Sequence, residues 1–188
     1  MKKTVIAFLL LSLAAGLGAA GRKFSVMAGA GVLLPIDADF KELYGSALFC
    51  PELKLSYEIM PRFCVWLAGS SASATGVLPE LGDEIKASQT FLSLGAGWET
   101  KRWGRLQADV GAAFLMAHSR EKAMGSSPSK SAPGFDARAG LRVFVSESVF
   151  VGLNVGFAGA WTTVDAGETD KDIVIGGMRI GGALGFRF

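Results

Sequence analysis

Residues Asp172 to Phe188 read DIVIGGMRIGGALGFRF, and their alternation decides the fold. Counting back from Phe188 in steps of two gives Phe186, Leu184, Gly182, Ile180, Met178, Gly176 and Val174. Between them stand Arg187, Gly185, Ala183, Gly181, Arg179 and Gly177. One set is apolar and ends in two aromatics; the other is small or cationic. A repeat of two marks a β-strand, because successive side chains leave opposite faces of the pleat.

The same alternation recurs upstream. It predicts strands at Lys23–Leu34, Leu48–Ile59, Phe63 to about Thr75, Gln89–Glu99, Leu106–Met116, Phe135–Val145 and Val149–Trp161, so that Asp172–Phe188 is the eighth. Pro51 is awkward inside the second, since proline cannot donate to a ladder, and it is expected where pairing is already lost. Polar connections at 35–47, 76–88 and 119–134, with an acidic one at 164–172, alternate with short ones at Met60–Arg62, Thr100–Gly104 and Ser146–Ser148. The Ser, Pro and Lys content of 119–134 predicts mobility there. Apolar positions keep their parity across every short connection, so each hairpin keeps one apolar face.

The first residues predict the compartment. Lys2 and Lys3 precede an apolar run from Val5 to Ala15 that ends in small residues up to Ala20, the layout of a cleavable secretory signal. Residues 1–20 are read as signal peptide and 21–188 as one domain. Removing Lys2 and Lys3 from the 19 basic residues leaves as many as the 17 acidic ones, so no surplus points to nucleic acid. Half of the chain is hydrophobic, yet beyond the signal no run approaches the roughly 18 apolar residues of a spanning helix.

The faces then decide what meets lipid. The polar faces are mostly Gly, Ala and Ser, a poor coat for a soluble protein and a fitting lining for a lumen too narrow for large side chains. The apolar faces carry Leu, Val, Phe and Ile, too bulky together for an eight-stranded interior. The barrel is therefore expected inside out, apolar toward lipid. Its sheet must close, because an unsatisfied backbone group in lipid costs several kcal/mol. Trp98, Trp103, Trp161 and Tyr44 are expected at the membrane interfaces.

A two-faced closing strand with terminal Phe188, eight strands and alternating loop lengths resemble the small bacterial outer-membrane β-barrels of the OmpX, OmpW and OmpA-transmembrane type. The resemblance implies an all-β, antiparallel up-and-down barrel in the outer membrane, expected to be a monomer. It implies contact with outer-membrane lipid and lipopolysaccharide, and recognition of Phe186 and Phe188 by the barrel-assembly machinery during insertion. Unlike OmpA-type chains, no periplasmic domain is expected after the barrel.

Facing places Glu52, Lys54, Glu58, Asp109, Asp136, Arg138, Arg142 and Arg179 inside. Opposite signs on neighbouring strands are what buried charge requires, and a structural, register-fixing plug is preferred to an ion path. Cys50 and Cys64 are expected as free thiols: with the hairpin turning at Pro61, Cys64 opposes Glu58 and Cys50 lies about 27 Å further along, against the ~7 Å a disulfide allows. No Cys/His spacing suits a metal, and no cofactor or catalytic residue is predicted. Lipid A deacylases present a His and a Ser two apart on one strand face; here Ser119 is adjacent to His118 and points away. The function expected is thus non-enzymatic, structural or surface-interacting, with recognition in loops 35–47, 76–88 and 119–134. Passage of a small or hydrophobic compound is the alternative, and lipid A modification a lesser one.

Overall fold

The computed structural model describes residues 24–77, 84–122, 128–165 and 170–188. The expected signal peptide and Lys23 lie outside the described residues, as do 78–83, 123–127 and 166–169. Eight antiparallel strands close into one barrel: β1 (Phe24–Pro35), β2 (Leu48–Met60), β3 (Phe63–Val77), β4 (Glu84–Glu99), β5 (Leu106–Lys122), β6 (Ser129–Phe144), β7 (Val149–Asp165) and β8 (Asp170–Arg187). Each pairs with its sequence neighbour, and β8 returns to β1 with Val26 opposite Phe186 and Ala28 opposite Leu184. The terminal residue finishes the seam: Phe188 N–H donates to the Phe24 carbonyl at 2.8 Å.

The faces divide as alternation requires. Leu53, Val110, Leu141 and Leu184 point outward, the last 61% exposed, whereas Lys54 and Arg142 are 3% and 2% exposed. An outward wall of this composition is stable against hydrocarbon and not against water, so the barrel is built to span a membrane. Strand β3 keeps odd residues out and even ones in throughout.

Several expectations are corrected. The connection at 35–47 contains a helix, α1 (Ala38–Tyr44), started by Asp37, whose side chain accepts from Phe40 N–H, and ended at Gly45 with φ 93°. Asp37 is an ordinary N-cap and glycine tolerates the left-handed φ, so both signals were legible. Tyr44, the last residue of this helix, is buried against Ile85 and Ala87 of β4 and is not at a membrane interface. Strands β5 and β6 reach Lys122 and start at Ser129, so most of 119–134 is paired sheet. Similarly, β3 and β4 occupy most of 76–88. Polar composition suggested loops, but a strand clear of the membrane has no need of apolar residues.

Pro51 sits where part of the ladder has been left. Below it β2 pairs with both β1 and β3, but the β2–β3 ladder begins only at Glu52–Ser70, whereas β1 pairs up to Leu48. The upper part of β3 thus has no strand on that side, and α1 packs there: a Cβ at Gly76 would collide with the Leu43 carbonyl. The helix covers what would otherwise be an open strand edge.

Candidate functional site

A lumen is the place where a barrel of this size can hold or pass anything, and here it is filled in tiers. The tier at the α1 end is apolar: Leu33, Leu48, Phe91, Leu115 and Ile175 form one cluster with Cys50, and Phe40 of α1 packs on it. The tier at the short-turn end holds Met27, Phe144 and Phe150. The expectation of a lumen too narrow for large side chains is therefore wrong. Large residues enter because glycine on a neighbouring strand leaves room: a Cβ at Gly185 would strike the Phe150 ring, and one at Gly140 would come within 2.7 Å of Asp109 Oδ1 and 2.9 Å of Asn154 Oδ1.

Charge occupies the middle. In its upper half, Arg138 Nη1 donates to Glu52 Oε1 at 2.9 Å and its Nη2 to Asp136. Arg179 repeats the pattern from β8, donating to Asp136 Oδ2 at 2.6 Å, Glu52 Oε2 at 3.3 Å and Ser70 Oγ at 3.1 Å. Two guanidiniums and two carboxylates alternate in a ring, and Ser93 Oγ supplies Asp136 a further donor at 2.8 Å. Asp136 has no exposed surface at all.

In the lower half, Arg142 donates to Glu99 Oε1 at 2.7 Å and lies 3.1 Å from Asp109 Oδ1. The second contact is off the hydrogen-bond angle, so the two pair as ions. Lys54 stands 3.7 Å from Asp109 Oδ2. Arg187 donates to Glu58 Oε2 at 2.8 Å and to Glu99 Oε2 at 3.3 Å. Gln107 links them, accepting from Arg187 and donating to Glu99. Between the halves lies Trp66, its ring 4.1 Å from the Arg138 guanidinium and 5.1 Å from Lys54 Nζ.

All eight lumen charges named from sequence are found in ion pairs, in two groups: Glu52, Asp136, Arg138 and Arg179 above, and Lys54, Glu58, Asp109 and Arg142 below. Glu99, Arg187 and Trp66 complete the network and were not singled out, although Glu99 and Arg187 share the inward parity of their strands. Five cations (Lys54, Arg138, Arg142, Arg179, Arg187) face five anions (Glu52, Glu58, Glu99, Asp109, Asp136), so the network is neutral. The cavity beside Glu52, Arg138 and Arg179 has a volume of about 50 Å³. That is room for a few waters.

Cys50 and Cys64 are both free and buried. Phe186 points outward and its ring lies 5.0 Å from that of Phe188. His118, on the outward face of β5, hydrogen-bonds Ser131 of β6 at 2.9 Å and not Ser119. Among the described residues no carboxylate pairs with this histidine and no group of His, Cys, Asp and Glu is arranged to hold a metal.

No protein-family model and no curated protein matches the sequence. Solved structures do match. The outer membrane protein OprG from Pseudomonas aeruginosa superposes with a TM-score of 0.67 at 13% identity over 89% of this chain and 98% of that one. Neisserial surface protein A gives 0.65 at 13% identity over 88% and 97%. Ail, the attachment invasion locus protein of Yersinia pestis, gives 0.53 at 16% over 87% and 98%, and has also been solved with the heparin analogue sucrose octasulfate. The fold is that of the small eight-stranded outer-membrane β-barrels. At these identities the likeness concerns the fold alone, and the filled lumen is this chain's own feature to interpret.

Proposed function

We propose that this chain is a non-enzymatic barrel of the bacterial outer membrane, exported by its first 20 residues, with a lumen braced shut by side chains and a structural or surface-interaction role carried by its extracellular end. The observation that carries the reading is the neutral network of five cations and five anions between two apolar tiers, beside a cavity of only about 50 Å³. An ion path needs continuous water or exchangeable partners. Here the Arg and Asp groups are each held by several others, which suits a brace that fixes strand register.

The extracellular end supports the second half of the reading. Strands β5, β7 and β8 run 17, 17 and 18 residues, whereas about 9–11 cross a bilayer. The surplus carries sheet beyond the membrane, so recognition would rest on stiff strand ends and α1. That a barrel of the same fold, Ail, has been solved with a sulfated sugar supports an outer end able to take ligands.

Planar-bilayer recording is the test. The wild-type protein is expected to give no steady single-channel steps. Steady steps altered by Arg138→Ala would replace the brace with a conducting path. Lipid A from cells with and without the protein is expected to show the same acyl pattern by mass spectrometry; a lost or added chain would make the protein an enzyme.

A further inference from the structure

Along the described strands, the outward wall carries its cations in one place. Among the described residues, the cations at outward-facing strand positions are Lys86 on β4 and Arg120 and Lys122 on β5, and these strands are neighbours. The register sets Lys86 opposite Lys122, Ser88 opposite Arg120 and Thr90 opposite His118. On the other side of β5, Ser131 faces His118 and Ser129 faces Arg120. Like charges directly opposite on a sheet are destabilising unless something negative lies between them. Glu84 reaches Lys86 at 3.0 Å, but both side chains are more than half exposed, where such a pair contributes little and yields to a better anion. Glu121 has the opposite parity.

Height along β5 says what that anion is attached to. Outward residues from Leu106 to Met116 are Leu106, Ala108, Val110, Ala112, Phe114 and Met116, with no polar interruption. Ten steps at about 3.4 Å, on a strand tilted about 40°, rise about 26 Å, which matches an apolar band of about 25 Å. On the same scale His118 stands about 5 Å above the band and Arg120 about 10 Å, at headgroup level, where long cationic side chains can lean down. Beside them, at the top of the lipid-facing wall, Phe135 stacks on Trp161 at 5.4 Å and packs on Phe157 at 5.3 Å. An aromatic shelf under a cluster of cations and hydroxyls matches an amphiphile with acyl chains below and phosphate above.

The geometry points to a binding site for a phosphorylated lipid of the outer leaflet, its phosphate held by Lys86, Arg120 and Lys122 with the hydroxyls of Ser88 and Ser129, and its chains lying along Phe114, Met116 and Phe135. His118, tied to Ser131, forms the lower rim. The site lies outside the lumen and uses no residue of the brace. It rests only on the part of the proposed function that puts the barrel in a membrane.

The test uses the full protein in phosphatidylcholine nanodiscs doped with bis-phosphorylated lipid A, or with the same lipid after removal of its phosphates, and retained lipid is measured by native mass spectrometry. Wild type is expected to favour the phosphorylated form by about tenfold or more, the worth of one charge-assisted hydrogen bond. Lys86→Gln/Arg120→Gln/Lys122→Gln is expected to lose that preference. Arg62→Gln/Lys101→Gln/Arg105→Gln, which removes the same charge from exposed positions at the short turns, is expected to keep it. No preference in wild type, or equal loss in both triple variants, overturns the site, the latter because it reports net charge alone. Release of the lipid by soluble sucrose octasulfate or inorganic phosphate assigns the patch to a soluble anion and overturns the lipid reading. Incorporation into the discs is scored separately, so a barrel that does not enter bilayer is distinguished from a patch that does not bind phosphate.

Discussion

Asp136 shows how much rests on one side chain in this lumen. It has no exposed surface and accepts from Arg138, Arg179 and Ser93, joining three strands. Removing one member of a buried ion group leaves the others charged and unpaired, at about 3–5 kcal/mol. Asp136→Ala is expected to lose that much in denaturant unfolding from detergent micelles. Glu58→Gln, at the wetter rim where the side chain keeps 24% of its exposure, should lose at most about 1 kcal/mol. Equal losses would show that the network is no tighter at its centre than at its mouth. Asp136 was readable as inward from parity alone. Of its three partners only Arg138, two residues along the same strand, was readable in that way; Arg179 and Ser93 come from strands far away in sequence.

At the scale of elements, α1 is the part that sequence did not announce by pattern. Seven residues carry too few turns for an amphipathic repeat, and the helix persists because it packs on the apolar tier through Phe40 and on the uncovered edge of β3. Its cap is testable: Asp37→Ala should cost about 1 kcal/mol and speed amide exchange in 38–44. The helix also has a pH limit. Burial, and secondarily the nearby Glu121 carboxylate, push the Tyr44 hydroxyl up to about 12. A raised folded value means the neutral phenol is the form that packs, so this contribution is complete below the ordinary value near 10 and disappears as pH rises to about 12. In a Tyr57→Phe protein, tyrosinate absorbance at Tyr44 is expected to titrate near that upper value. Ionisation near 10 would mean that Tyr44 is exposed in solution. The extensions of β4 to β7 escaped notice for a related reason: beyond the membrane the outward face turns polar while mostly small residues such as Ala87, Ala117 and Ala132 turn inward, so the contrast between oily and small faces is lost although pairing continues.

For the whole molecule, closure of the sheet is the controlling event. Phe24 and Phe188 exchange backbone hydrogen bonds at 3.4 and 2.8 Å, and their rings lie 6.2 Å apart. We propose that Phe186 and Phe188 also serve as the assembly signal. Phe186→Ala/Phe188→Ala should then lower the amount of protein in the outer membrane while detergent refolding of the purified chain stays near wild type. If both fall together, the two rings act on stability alone. Free Cys50 and Cys64 predict that heat-modified migration on gels is the same with and without reductant.

Strand number, facing, closure and the inward set of charges were all determined by sequence, because alternation is local: each residue's side follows from its parity with its neighbour. Tertiary structure decided the rest: which carboxylate meets which guanidinium, how rings fit over glycines, where β2 leaves β3 and α1 enters, and that the outward cations gather on β4 and β5. Those depend on the stagger between strands around a closed ring. A shift of two residues preserves every face and changes every partner.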